Sequence, residues 1–435
     1  MCEIEDIKAR QILDSRGIPT VEADVILCDG SVGRASVPSG MSTGIFEVKE
    51  LRDKIKEKYF GKGVEKAVSN INTIITPNLI GEDASNQQAI DSLLIELDGT
   101  FDKSNLGSNA ILAVSLACAK AACEYYNLPL WRYLGGINSK ILPAPMINIL
   151  NGGAHAENNL DFQEFMILPM GFASFSESIR AGAEIFHALK SILIEKGYTT
   201  AVGDEGGFAP EISYTRDAIE LIVQAVEKAG YNTKLIKICL DVAASELYEE
   251  GDCSEGICTL SKYYLRGENK KLTSESMIGY LQELVRDYPI VSIEDGLSQD
   301  DIFGWQKLTE QLKEKCLLVG DDIFVTNSKR LQEGIDKNLG NGIIIKPNQI
   351  GTLTETIDTI ITAQKNNYKT IISHRSGETE DSFIADLAVA TNSGFVKFGS
   401  VSRSERNAKY NQLLRIEEAI GDGANYLGAN LLHIN

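Results

Sequence analysis

The chain lacks any run of basic residues to set against a formal net charge of −19. That imbalance argues against nucleic acid or an anionic membrane as a main partner. If the ligand is itself an anion, long-range steering will not draw it in, so local cations or metals must offset the field. Long hydrophobic runs are also missing. The longest apolar stretch, Ala110 to Cys123, contains Lys120 and is too short to span a bilayer. The N-terminus, MCEIEDIKARQILDSRG, is acidic and has no apolar centre, so no secretory signal is expected and a cytoplasmic location is. No GxxxxGK[ST], GxSxG or GxGxxG pattern occurs, which leaves nucleotide and acyl-serine chemistry without support.

Cysteine and histidine are sparse and dispersed. Cys118 and Cys123 lie five apart in an Ala-rich helical stretch, hence not on one face. Cys253 and Cys258 sit in a polar loop with no second CxxC or nearby His to complete a zinc site, so free thiols are expected. Of 4 histidines, His187 is mid-helix and His433 is three residues from the end, so both read as structural or solvated. His155 follows Gly152-Gly153 in a loop. His374 opens His374-Arg375-Ser376-Gly377, which puts imidazole, guanidinium and hydroxyl within three residues, a grip for an anion such as phosphate.

What is present is an ordinary globular composition, 43% apolar and 24% charged over 435 residues, enough for a sizeable core. Residues 3 to 37 read as antiparallel strands, with Cys28-Asp29-Gly30 as the turn between Ile18–Leu27 and Ser31–Val37. Pro38 to Gly44 is small and flexible, either a surface turn or a mobile lid. Helical patterns fill most of 62 to 127, ending in the small-residue helix from Asn109 to Tyr126. We take residues 1–137 as an N-terminal α+β domain. The second domain, 138–435, opens with a linker from Asn138 to Pro145.

Cys316 to Asn348 organises this second domain. Leu317–Val319 ends in Gly320 and two aspartates, a helix capped by Asn327 or Ser328 runs to about Lys337, and Ile343–Ile345 ends in Lys346. Both apolar runs are continuous, as strands of a parallel sheet covered on both faces should be. The pattern recurs: strands end at Asp241, Glu294, Asp321, Lys346, His374 and Lys397, and from Glu294 the steps are 27, 25, 28 and 23 residues. A doubly wound open sheet needs chemistry at one switch point only, whereas six ionisable strand ends suit a closed α/β barrel whose strand ends share one mouth. The start is irregular. Met146–Leu150 and Phe162–Leu168 look like a hairpin, followed by helices over about 176–196 and 214–229, with the glycine-rich Val202-Gly203-Asp204-Glu205-Gly206-Gly207-Phe208 between them. Glu246 to Thr273 reads as a polar loop or small hairpin insertion.

Three carboxylates at successive strand ends, Asp241, Glu294 and Asp321, are hard oxygen donors suited to Mg²⁺ that keeps room for water or substrate. The plainer alternative is helix N-capping, a role Asp295 or Asp322 would fill. Lys346 and Lys397 end buried strands, where an unpaired ammonium is costly. Two lysines beside a metal should have lowered pKa values, leaving one usable as a general base; ordinary salt bridging to the carboxylates is the alternative.

The motifs SHRSGETED, VGDEGGFAP, SIEDG, VGDDI, KPNQIGT and NQLLRIEEA, several independent motifs that occur in the right order along a chain running from DSRG at Asp14 to RIEE at Arg415, resemble the enolase family over nearly the whole chain. The resemblance implies an N-terminal α+β domain followed by an eight-stranded α/β barrel with a ββαα start. It implies a lyase that reversibly dehydrates 2-phosphoglycerate to phosphoenolpyruvate in glycolysis and gluconeogenesis. Lys346 would be the base at C2, Glu205 the acid that assists hydroxide departure, and Glu164 its neighbour. Asp241, Glu294 and Asp321 would hold one Mg²⁺; a second would arrive with substrate and take Ser42 of the lid. His374, Arg375, Ser376 and Lys397 would bind phosphate and carboxylate, and His155 would close over the site. A homo-oligomer is implied, a dimer or a ring of dimers up to an octamer, with Glu22 and Arg415 matching a pair that bridges subunits. The pairing of an acid–base site with Mg²⁺ is a known strategy of enolase-type enzymes.

Met41, Ile18, Phe46 and Phe398 depart from the family pattern, and none is a proposed ligand or proton-transfer group. Two other readings stand beside this one. One is a superfamily lyase or racemase acting on a non-phosphorylated acid, which the His374-Arg375-Ser376 grip and the Glu205 loop disfavour. The other is a binding or structural role without catalysis.

Overall fold

The computed structural model describes residues 2–40, 44–251, 253–254, 257–258 and 262–431. Met41, Ser42 and His433 lie outside the described residues, and with them the lid tip and the expected Ser42 metal ligand. The N-terminal strands β1 (Ile4–Leu13), β2 (Pro19–Leu27) and β3 (Val32–Ser36) form an antiparallel meander, as the alternation and turn residues predict. Helix α1 (Ser108–Tyr125) lies across it. Its run of small residues has a steric cause. A Cβ on Gly33 would sit 2.1 Å from both the Ala117 carbonyl oxygen and the Ala121 nitrogen, so a glycine on β3 faces alanines on α1 where the two backbones meet.

The second domain is a closed barrel of eight strands: β4 (Ala144–Asn151), β5 (Glu164–Pro169), β6 (Ile236–Asp241), β7 (Ile290–Glu294), β8 (Leu317–Gly320), β9 (Gly342–Ile345), β10 (Lys369–Ser373) and β11 (Gly394–Lys397). β5 runs antiparallel to both β4 and β6, and every other pairing is parallel. The hairpin is followed by α2 (Phe175–Glu195) and α3 (Thr215–Lys228) before strand and helix alternate. The expected ββαα start is present.

Alternation along the strands divides the apolar residues into two cores. Ile147, Ile149, Phe165, Ile167, Ile343 and Ile345 belong to the large core shared with the helices. Their neighbours Met146, Met166, Leu168, Val319, Ile344 and Phe395 form a second cluster, which fills the barrel interior. A filled barrel leaves side chains at the strand ends as the place for chemistry.

Asn327 caps α4 (Ser328–Asp336) by accepting from the Lys329 and Arg330 amides. The insertion after β6 contains a three-stranded antiparallel sheet of Tyr248–Glu249, Lys262–Leu265 and Lys270–Leu272, more than the single hairpin expected. The N-terminal domain docks on the mouth loops. Ser39 and Gly377 exchange backbone hydrogen bonds of 2.8 and 2.9 Å, and Lys120 pairs with Asp381 at 2.7 Å. Among the described residues, no helix is long and apolar enough to cross a membrane. The six cysteines whose side chains are described are free thiols.

Candidate active site

Every barrel strand but β5 points its C-terminal end at one mouth. β5 is reversed, so its first residue, Glu164, reaches that mouth and stands opposite Asp241 in register. Glu205 enters from the glycine-rich 202–208 loop. Gly206 there has φ +87°, and a Cβ on it would lie 2.5 Å from the Ser402 carbonyl oxygen, so only glycine lets the loop lie against 400–402. The Glu205 carbonyl accepts from Ser400 at 2.9 Å, and Asn148 donates to its carboxylate at 3.0 Å. The glycines thus fix where one carboxylate sits.

The structure brings together His155, Glu164, Glu205, Lys346, His374, Arg375, Ser376 and Lys397, which with Gln163 and Ser373 line one small cavity. His155 Nδ1 and His374 Nε2 each lie 3.4 Å from Glu205 Oε1. Four buried atoms at this cavity, Gln163 Oε1, Glu164 Oε2, His155 Nδ1 and His374 Nε2, have no hydrogen-bond partner. Buried polar atoms are normally satisfied, so such a cluster marks a place where a polar ligand belongs.

Lys397 Nζ is held between Asp241 (2.9 Å), Glu294 (2.8 Å) and Glu164 (3.2 Å). Burial alone would lower its pKa, but these carboxylates push it far up. Lys346 is similar: burial opposes its charge, and Asp321 Oδ2 at 2.5 Å holds the pKa above the usual lysine value. The lowering expected of the lysine pKa values belongs to a site holding a divalent cation; where the carboxylates pair with the lysines themselves, both ammonium groups are favoured. Glu294 is pushed up to about 8 by burial and then by Asp241. Glu164 is raised by burial and by the charge of Glu205. For Glu205 burial also acts upward, but His155, His374 and Arg406 outweigh it and the pKa is lowered. Burial takes His374 down to about 3 and lowers His155 as well.

Asp241, Glu294 and Asp321 do reach the same mouth but do not converge on one point. The ligand atoms that all lie within 4.8 Å of one another, among the described residues, belong to His155, Glu164 and Glu205 and to Asp295, Asp321 and Asp322. Lys397 draws Asp241 and Glu294 to one side, while Asp321 bonds Lys346 and, at 2.8 Å, Gln349. Asp295 is committed elsewhere, accepting from the Asp321 and Asp322 amides at 2.9 Å. The helix-capping role open to Asp295 in the sequence falls to Asp301, which caps Ile302–Leu312, while Asp295 orients Asp321 rather than replacing it. An all-oxygen, deeply buried donor set whose gap is bridged by an ammonium fits a hard cation.

Sequence reasoning missed several residues here. Gln163 donates to Asp241 at 3.1 Å. Glu47 pairs with Arg375 at 2.9 Å and accepts from the Gly44 amide at 3.0 Å, linking the 44–47 turn to Arg375. Arg16 reaches Ser376 Oγ at 3.3 Å from the N-terminal domain. Arg406, Gln349 and Asn148 support the site from behind. Gln163 had a signal in its place beside Glu164 in FQEF and Gln349 in its place in KPNQIGT, whereas Glu47, Arg16 and Arg406 look like surface or loop residues until the fold buries them.

The fold and mouth define a two-domain protein whose α/β barrel gathers buried carboxylates, lysines and histidines at one end. A family model described as "Enolase, N-terminal domain" matches residues 4–134, and one described as "Enolase, C-terminal TIM barrel domain" matches residues 139–434. The chain belongs to the enolase family.

Proposed function

We propose that this protein is a phosphopyruvate hydratase, reversibly dehydrating 2-phosphoglycerate to phosphoenolpyruvate with Mg²⁺. The observation that carries the reading is the cavity in which Lys346, Glu205 and Arg375 meet unpartnered buried polar atoms. Asp241, Glu294 and Asp321 would hold the resident ion, with Ser42 assigned to a second that comes with substrate. Mg²⁺ bound there would stabilise the charge that builds on the substrate carboxylate when its neighbouring carbon loses a proton. Lys346, once relieved of its pairing with Asp321, takes the C2 proton. Glu205 stands as the acid toward the departing hydroxide, and Glu164, whose raised pKa keeps it protonated, supplies the proton that the pair delivers. Lys397 faces the substrate carboxylate, while Arg375, Ser376 and His374 hold the phosphate region and His155 covers it.

We also assign the protein to the glycolytic and gluconeogenic route in the cytoplasm, as a homodimer or octamer. In the single chain Glu22 is engaged by Arg10 at 2.6 Å, so a bridge to Arg415 of another copy would add to an existing ion network.

The test follows ultraviolet absorbance of the enol phosphate after adding 2-phosphoglycerate, with Mg²⁺ and with a chelator, for wild type and Lys346→Ala. Mg²⁺-dependent product that the variant loses by about 10²–10⁴-fold supports the assignment. Turnover of a non-phosphorylated acid, with none of 2-phosphoglycerate, would replace it with the superfamily alternative.

A further inference from the structure

Arg406 stands near the start of α5 (Ser404–Ile420), a helix on the outside of the barrel, yet its side chain is 0% exposed. It points inward to the mouth. Nη1 lies 2.6 Å from His374 Nδ1, and the same nitrogen donates to the Arg375 carbonyl at 2.5 Å. Nη2 donates to the carbonyls of Ser376 at 2.5 Å and Asp204 at 3.0 Å. One guanidinium therefore ties the loop that carries Glu205 to the loop that carries His374, Arg375 and Ser376.

The chemistry of that contact settles a proton. A guanidinium has only donors and keeps its charge at any pH a protein survives. An imidazole nitrogen 2.6 Å from such a donor has to present a lone pair. His374 Nδ1 is then the acceptor, so the ring proton sits on Nε2, and a second proton on Nδ1 would face the guanidinium head-on. Nε2 is the atom 3.4 Å from Glu205 Oε1, without a hydrogen-bond partner, at the cavity wall.

We propose that Arg406 is a positioning residue that locks His374 as the neutral Nε2–H tautomer, so that the ring presents one fixed N–H between Glu205 and a bound anion. The charged groups that act on His374 are Glu205, Arg406 and Lys397. Glu205 alone would favour an imidazolium, and the two cations oppose it. Deep burial points the same way, with the imidazole pKa at about 3. A neutral donor matters in this position. An imidazolium could surrender its proton to Glu205 and blur which group holds the proton given to the leaving group. The link to catalysis rests on the function proposed above; the tautomer does not.

The experiment is ¹⁵N NMR of the full-length protein with ring-labelled histidine, in the absence of substrate. The chain has 4 histidines, so His374→Gln assigns the signal. The expected result is a pyridine-like Nδ1 and a pyrrole-like Nε2 that do not titrate between about pH 5.5 and 8.5. Arg406→Gln, whose amide oxygen can accept from Nδ1–H, should mix or invert the tautomers and lower kcat by tenfold or more with a smaller change in KM. Arg406→Lys keeps a donor-only cation and should keep the Nε2–H signature. An Nδ1–H tautomer or a titrating His374 in the wild type overturns the inference, and the wild-type spectrum alone suffices if Arg406→Gln fails to fold. Wild type that shows the expected tautomer but does not turn over 2-phosphoglycerate upholds the lock and removes the proposed function instead.

Discussion

Glu164 faces Asp241 across the antiparallel pairing of β5 and β6, the first residue of one strand against the last of the next. In a barrel of parallel strands a residue at a strand start would lie at the far end from the mouth. Reversing a single strand brings a carboxylate to the mouth without lengthening a loop, and it does so beside an expected metal ligand. The irregular start of the barrel is thus part of how the site is assembled. It also places Glu164 next to Lys397, at 3.2 Å, and among the carboxylates that raise its pKa.

The glycine-rich loop sets the other carboxylate. Gly206→Ala would place a Cβ 2.5 Å from the Ser402 carbonyl oxygen in a left-handed backbone, so the loop has to move. The carbonyl is backbone and cannot yield as a flexible side chain would. A misplacement of about 1 Å can cost on the order of 10²-fold in rate. We expect kcat to fall by that order while the melting temperature drops only a few degrees. Unchanged kcat would mean that Glu205 is held by Asn148 and Ser400 without help from the turn.

Glu47 joins the 44–47 turn to Arg375, and its carboxylate also lies 3.4 Å from Gln349, the residue that holds Asp321. Glu47→Gln keeps the shape but removes the charge that opposes Arg375. The guanidinium is then left buried with weaker compensation, and breaking such a pair costs about 3–5 kcal/mol in favourable cases. Bound phosphate would restore the missing negative charge. The expected outcome is lower thermal stability without ligand and a larger stabilisation on adding inorganic phosphate or 2-phosphoglycerate than wild type shows. Equal ligand-induced shifts in the melting temperature would argue against this compensation.

The helix after β8 offers a purely structural check. Asn327 accepts from the Lys329 and Arg330 amides, the capping arrangement its place in the sequence predicts. Asn327→Ala should cost about 1 kcal/mol and leave turnover unchanged. Denaturant titration of both proteins tests this, and an equal midpoint would mean that Ser328 or water satisfies the exposed amides.

That cap, the strand ends and the helices between them were legible because they rest on local patterns: apolar runs, charged ends and cap residues. Ionisable residues in near-regular steps from Glu294 to Lys397 pointed to the barrel before any contact was known. The electrostatics were less legible. Lys346 was expected to have a lowered pKa, but its sign depends on whether Asp321 pairs with the lysine or with a cation, and spacing carries no such information. Glu47 and Arg406 were invisible for another reason. Arg406 lies on an outer helix in a run of polar residues, SERNAKYNQ, and only the approach of three loops buries it.

Asp386 gives the pH test, well away from the expected metal ligands. It accepts from the Trp131 amide at 3.3 Å and from Gln412 at 3.0 Å, and burial pushes its pKa up to about 6 from 3.8. The sign follows from proton binding. Between the unfolded and folded values the native state holds more proton than the unfolded chain, so this site favours folding at low pH and the benefit is lost as pH rises through about 6. A shift of this size corresponds to at most roughly 2–3 kcal/mol. Asp386→Asn removes the ionisation and keeps the oxygen that accepts from Trp131. The variant should match or exceed wild type in melting temperature at pH 7.5, and the difference should shrink or reverse near pH 5. Parallel dependence of the two proteins across that range would show that Asp386 already ionises normally in the folded state, and that Gln412 and the Trp131 amide fully offset its burial.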